Sequence, residues 1–180
     1  VRTLHLIKHA RPEIDPSRPA AEWFASARGL ERVEALSGQL RGVSAVLSSS
    51  EPKAVATARR LAAALGVLLE ELPGLHEHAR RSAPFFEDPA DFHAAVRALF
   101  EQPAEAVFGE ESADAARTRF RAALEAGAAR HAGDLAVVAH GTVISLLAAG
   151  GDPARGFALW QQLDFLGVVR VAWPDPGGAA

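Results

Sequence analysis

Short apolar, β-branched or leucine-rich runs alternate along this chain with Ala/Leu/Arg/Glu segments of helical period, the pattern of an α/β domain. Strand one is expected at residues 3–8 and a first helix at about 29–41. A second strand at 45–48 leads into a helix at 51–65, with Ser50 placed to cap it and Pro52 in its first turn. Strand three spans 68–72 and is ended by Pro73-Gly74. Residues 75–90 lack a period, with "PFFEDP" a loop; helices follow at 91–100 and 112–131. A fourth strand at 134–139 runs into a helix at 142–149, and a last strand at 168–173 precedes a "PDPGGAA" tail expected to be disordered. The expected architecture is one domain over residues 1–173, an α/β three-layer sandwich with a mostly parallel sheet and helices on both faces, followed by a tail at 174–180.

Composition narrows the chemistry. The 180 residues are 49% hydrophobic and 23% charged, enough apolar content to bury a core. A net charge of −3 gives no global pull towards nucleic acid or an anionic membrane surface, so neither is expected as a partner and any anion site must be local. With no cysteine, thiolate chemistry, disulfides and cysteine-based metal sites are excluded. The longest apolar stretch, "LAVVAHGTVISLLAAGG", carries a histidine, two hydroxyls and glycines, and reads as strand, turn and helix rather than a membrane span. No basic segment followed by an apolar one precedes Leu4, so no signal peptide is read and a cytoplasmic location is expected.

Three strands end alike. "HLIKHAR", "AVLSSSE" and "AVVAHGT" each pass from apolar to polar at the strand's C-terminal edge. In open α/β sheets ligands bind outside those ends, where helix N-termini present free N–H groups. His9, Lys53 and His140 should therefore converge on an anion-binding pocket. Two histidines and cations around an anion suggest phosphoryl transfer: a neutral imidazole attacks phosphorus, and water later opens the phosphohistidine. Cations and N–H groups must neutralise the transferring oxygens. A carboxylic acid should protonate the leaving oxygen, and "GLHEHARR" offers Glu77. No metal-site or phosphate-loop motif is present in the sequence, and no cofactor is expected.

These residues carry a resemblance. "LIKHARPE" resembles the "RHG" signature of the histidine phosphatase (phosphoglycerate mutase-like) superfamily, and "LSSSEPKAVATARRLA" is similar to its "SSPLxRAxQTA" block. "VVAHGTVIS" is similar to its second-histidine block, "LHE" to the position of the general acid in many members, and "SARGLERVEAL" to the usual first helix. The resemblance implies a phosphoglycerate mutase-like fold and a metal-independent phosphohydrolase acting on a small phosphomonoester or a phosphoprotein. It makes His9 the phosphorylated nucleophile, His140 a phosphate-binding partner and Glu77 the proton donor, with Gly141 and Thr142 beside the phosphate. The family's two phosphate-clamping arginines fall on Lys8 and Lys53, the only lysines in a chain with 17 arginines. Lysine keeps the charge and loses the bidentate fork. Arg11, Arg80 and Arg81 are the candidates to supply a guanidinium instead. Ala10 stands for the signature glycine.

Two rivals stay open: a phosphomutase, and a catalytically weak or inactive phosphate- or phosphoprotein-binding module of the same fold. A homodimer is also left open. Lys53 near a helix N-terminus is electrostatically awkward, which favours a bound anion. Of the remaining histidines, His5 is expected in the core, His76 and His78 at the pocket wall, and His93 and His131 at the surface. Arg117, Arg119 and Arg121 are expected to form a solvated helical face. Ordinary packing is expected of the "PFF" aromatics.

Overall fold

A computed structural model describes residues 1–174. The elements are β1 (Arg2–Lys8), α1 (Ala27–Leu30), β2 (Ala45–Ser48), α2 (Pro52–Leu65), β3 (Leu68–Glu71), α3 (Pro89–Glu101), α4 (Ala113–Ala128), β4 (Leu135–Ala139), α5 (Gly141–Ala148), α6 (Pro153–Gln162) and β5 (Val168–Trp173), with 3₁₀ turns at Ala20–Glu22 and Glu34–Gln39. Apart from Pro174, the expected tail lies outside the described residues.

The five strands form one sheet in the order β3-β2-β4-β1-β5. β3, β2, β4 and β1 run parallel, and β5 is antiparallel against β1. The sheet is mixed and mostly parallel, as expected. Alternation along the buried strands sends side chains to opposite faces. Leu4 and Leu6 of β1, Leu47 of β2 and Val137 of β4 join one core with residues of α3, α4, α5 and α6. Ile7, Val46, Ala136 and Val138 join the other, with Val33, Leu36, Leu40 and α2. Helices thus cover both faces.

Two expected elements differ. The helix expected at 29–41 is one α-turn, α1, followed by the 3₁₀ stretch at Glu34–Gln39. A Cβ on Gly29 would stand 2.7 Å from the Arg11 carbonyl oxygen, so the chain passes too close to the loop after β1 for an ordinary helix face. Gly38 further weakens any continuation. In the other direction, α6 was not expected, although Asp152 caps it by accepting from Arg155 N–H at 3.0 Å and Pro153 occupies its first turn. Ser50 does not cap α2: Glu51 holds the N-cap position, and its N–H donates to Ser49 Oγ at 3.2 Å. Ser112 does cap α4, accepting from Ala115 N–H. Among the described residues no helix is long and apolar enough to cross a membrane.

Candidate active site

Because β1, β2, β3 and β4 are parallel, the segments that follow them leave the sheet at the same edge. Backbone bonds fix the first two exits against β4: His9 N–H donates to Ala139 O, and Ser49 N–H to Val138 O, both at 3.0 Å. His9, Lys53, Glu77 and His140 therefore meet in a cleft of about 480 Å³, whose wall also includes Lys8, Arg80, Arg81, His76, His78 and Gly141.

His9 is buried, and its ring centroid lies 5.1 Å from that of His140. Its Nδ1 is 2.8 Å from the Ala10 carbonyl oxygen. A carbonyl only accepts, so Nδ1 carries the hydrogen and a neutral His9 presents its lone pair at Nε2. Burial, then the His140 and Lys53 charges, hold His9 well below the usual histidine range, so the ring is neutral at neutral pH. Ala10 N–H donates to Thr57 Oγ1 at 2.9 Å, which pins the loop after β1 onto α2.

His140 is buried and is pushed down to about 3, first by burial. Its Nε2 is 2.8 Å from Ser49 Oγ, while its buried Nδ1 has no hydrogen-bond partner among the described residues.

Glu77 sits at the mouth of α5. Its carboxylate accepts from Thr142 N–H at 3.1 Å, Val143 N–H at 3.2 Å and His78 N–H at 2.9 Å. Burial pushes it up, but Arg80, 3.8 Å away, His140 and the N–H donors outweigh this and hold it far below the usual carboxylate range. The helix N-terminus expected to face phosphate through Gly141 and Thr142 thus has Glu77 as its anion. Gly141 keeps the floor low, since a Cβ there would stand 3.4 Å from Lys8 Cε.

The two lysines have partners of their own. Lys8 Nζ donates to Leu163 O at 2.8 Å and lies 4.6 Å from the centre of the Phe165 ring. Burial lowers its pKa, against the Glu77 and Asp164 charges, which raise it. Lys53, itself buried, donates to Ala20 O at 2.6 Å and pairs with Glu51 at 2.5 Å. The anion inferred from the awkward place of Lys53 at a helix N-terminus is therefore met by this chain's own Glu51. Sequence reasoning missed Glu51, although an acid at an N-cap, two residues before a lysine, was a usable signal. Its other oxygen accepts from Glu77 N–H at 2.8 Å and lies 3.6 Å from His140 Nε2.

Of the three candidate arginines, Arg80 points into the cluster. Its Nη1 is 3.4 Å from Thr142 Oγ1, and its guanidinium stands 5.3 Å from both the Phe92 and Phe108 ring centres. Arg81 lies at the rim, ion-paired with Glu22. Arg11 is exposed, 5.2 Å from the Phe165 ring centre.

Arg119 does not belong to a solvated face. It binds Glu111 through Nε and Nη2, at 2.9 and 2.8 Å, and donates to the carbonyls of Gly74, His76 and Glu77. Three backbone acceptors of the segment carrying Glu77 thus converge on one guanidinium. His131 is likewise no free surface residue: its Nε2 is 2.8 Å from Glu70. His5 is buried and His93 exposed, as expected. Of the "PFF" pair, Phe86 packs against Phe92 and Phe108, and Phe85 is exposed beside Trp23.

The family model of the histidine phosphatase superfamily (branch 1) matches residues 25–177. The matched span begins after His9, which the fold returns to it through β1. A search of curated proteins by sequence gave no match. Among solved structures, a mycobacterial glucosyl-3-phosphoglycerate phosphatase complexed with VO3 is similar at 22% identity and a TM-score of 0.73, covering 96% of this chain and 91% of that one. The α-ribazole phosphatase from Shigella flexneri is 21% identical with a TM-score of 0.63, covering 94% and 86%. A mutant phosphoserine phosphatase from Entamoeba histolytica in complex with phosphoserine is 15% identical with a TM-score of 0.70, covering 95% and 90%.

Proposed function

The chain belongs to the histidine phosphatase superfamily, and from that premise we propose that it is a metal-independent phosphohydrolase working through phospho-His9 on a small phosphomonoester. The observation that carries the reading is the Nδ1 contact of His9 with Ala10 O, which leaves a neutral imidazole with its Nε2 lone pair free. The phosphatase names of the similar structures support the same class.

In the first step Nε2 of His9 attacks phosphorus, a P–N bond forms and the P–O bond to the alcohol breaks. Lys8, Lys53 and Arg80 offset charge on the transferring oxygens, with neutral His140 beside them. The leaving oxygen takes a proton from Glu77. Glu77 is ionised in the arrangement described above, so it must first gain that proton. A phosphate dianion entering beside it raises its pKa by like-charge repulsion, and a substrate arriving as the monoanion brings the proton in. In the second step Glu77, again a carboxylate, accepts a proton from the attacking water, the P–N bond breaks and inorganic phosphate leaves.

The binding-module reading draws on the two lysines, which lack the bidentate fork, and on Glu51, which offsets the charge of Lys53. The decisive measurement is phosphate release from an activated aryl phosphate, wild type against His9→Ala, with EDTA present. Turnover that needs His9 and ignores EDTA is the expected result. A folded wild type without turnover would overturn the enzyme reading in favour of the binding module.

A further inference from the structure

Beyond its phosphate-facing cluster the cleft is walled by aromatic rings, and we infer that the alcohol half of the substrate is a flat apolar group, an aryl or similar planar ring, carried on a small molecule. The inference rests on the phosphatase reading and names the substrate class for the same site.

Trp23, Phe92, Trp160 and Phe165 line the cleft together with Pro12. These rings are held rather than loose. The Trp23 indole N–H donates to Asp15 O at 2.9 Å and to Arg18 O at 3.2 Å, so it has nothing left to offer a substrate hydroxyl. Trp160 stacks on Phe157 at a centroid distance of 5.8 Å and meets the edge of Phe92 at 5.7 Å.

Phe165 stands nearest the chemistry, its ring centre 5.6 Å from that of His9. The turn presenting it holds Leu166 at φ 62°, a left-handed conformation that disfavours a branched non-glycine residue. The turn is closed by Leu166 N–H to Lys8 O and Gly167 N–H to Asp164 O, both at 2.9 Å. A Cβ on Gly167 would collide with Asp164 O at 2.8 Å, so the tight turn requires glycine there. A strained turn therefore carries an aromatic ring to the side of the nucleophile, with Lys8 Nζ 4.6 Å and the Arg11 guanidinium 5.2 Å from its centre.

Of the polar side chains beside these rings, His76 and His78 each commit one ring nitrogen within the chain: His76 Nδ1 is 2.9 Å from Glu77 O, and His78 Nε2 is 2.5 Å from Glu111 O, while the other His78 nitrogen is buried. A polyol would leave several hydroxyls unpaired against this wall, whereas a planar ring loses nothing by desolvation. About 480 Å³ holds a phosphate and one ring system. The entrance points to a small molecule. The Glu22–Arg81 ion pair and the edge contact of Trp23 with Phe85, at 6.4 Å, tie together the two segments that flank the cleft.

Phosphonates, which cannot be hydrolysed, separate this inference from the mechanism. In calorimetric titrations phenylphosphonate is expected to bind about tenfold or more tightly than methylphosphonate, from burial of the ring. Trp160→Leu and Phe165→Leu should each narrow that ratio. Equal binding of the two phosphonates would overturn the aromatic substrate class while His9-dependent turnover stood untouched. No binding of either phosphonate or of inorganic phosphate would overturn it together with the phosphatase reading. In a second arm, kcat/KM for phenyl phosphate is expected to exceed that for a tyrosine-phosphorylated peptide about tenfold, and Arg81→Ala should reduce the gap by opening the rim. Equal values in the wild type would overturn the small-molecule assignment.

Discussion

Lys53 and Glu51 form a buried ion pair at the heart of the cleft, with Nζ and Oε2 2.5 Å apart. A cation expected to clamp phosphate is thereby partly neutralised before any substrate arrives, and the carboxylate that neutralises it also holds the backbone of Glu77. Glu51 occupies the leucine position of the block "SSPLxRAxQTA" that this stretch resembles.

Glu51→Gln should release Lys53 for the phosphate and remove a like charge from beside it. Inorganic phosphate is expected to bind about tenfold more tightly, as a nearby charge in a medium of intermediate dielectric implies. The melting temperature should fall, because Lys53 loses its buried partner. Calorimetry and thermal denaturation check both. Weaker phosphate binding by a folded variant would mean that Glu51 positions Lys53 rather than competing with phosphate.

Glu77→Gln should slow alkyl phosphates, whose leaving oxygens need a proton, by about 10²–10⁴-fold, and activated aryl esters far less. A series of esters with graded leaving-group pKa reads this as a steeper dependence in the variant. Parallel lines for variant and wild type would take the proton-donor role from Glu77.

Arg119→Lys keeps the charge and loses the fan of bonds to Gly74, His76, Glu77 and Glu111. Breaking this half-buried network should lower stability by about 2–4 kcal/mol. The kinetic signature of displaced Glu77 is a drop in kcat on alkyl esters with turnover of activated aryl esters nearly retained. A melting shift with unchanged kcat on both would make Arg119 purely structural.

Stability should decline on acidification. His140 is pushed from 6.5 to about 3 on folding, so the unfolded chain binds its proton first. The stabilisation is fully present above pH 6.5 and is lost as pH falls from there towards 3. His9, also lowered, acts in the same direction. Thermal melts from pH 7.5 to 4 should therefore show a falling midpoint, with a shallower slope in His140→Gln. On the same grounds acidification through pH 6.5 should cost no kcat/KM, since His9 remains neutral there. A loss of kcat/KM on the acid side of pH 6.5 would contradict the burial of His9.

The strand pattern made much of this legible. Runs such as "HLIKHA" and "AVVAHG" pass from apolar to polar where the sheet ends, and a parallel sheet must gather those ends on one edge, so periodicity and connectivity alone place His9, Lys53 and His140 together, while Glu77 lies in a segment without a period and is singled out only by the need for an acid. What the periodicity could not carry were contacts between segments without a period. Arg119 looked like one charge on a helical face, yet its acceptors are carbonyls more than 40 residues away in the chain. The partners of Lys8 and the place of Phe165 depend on a turn whose conformation no apolar pattern encodes. The helix expected at 29–41 failed for the same reason, because the close approach of Gly29 to Arg11 is a tertiary contact and overrides local propensity. Sequence determined which residues reach the edge of the sheet. Tertiary structure decided their partners, because loop backbones take their conformation from what they pack against.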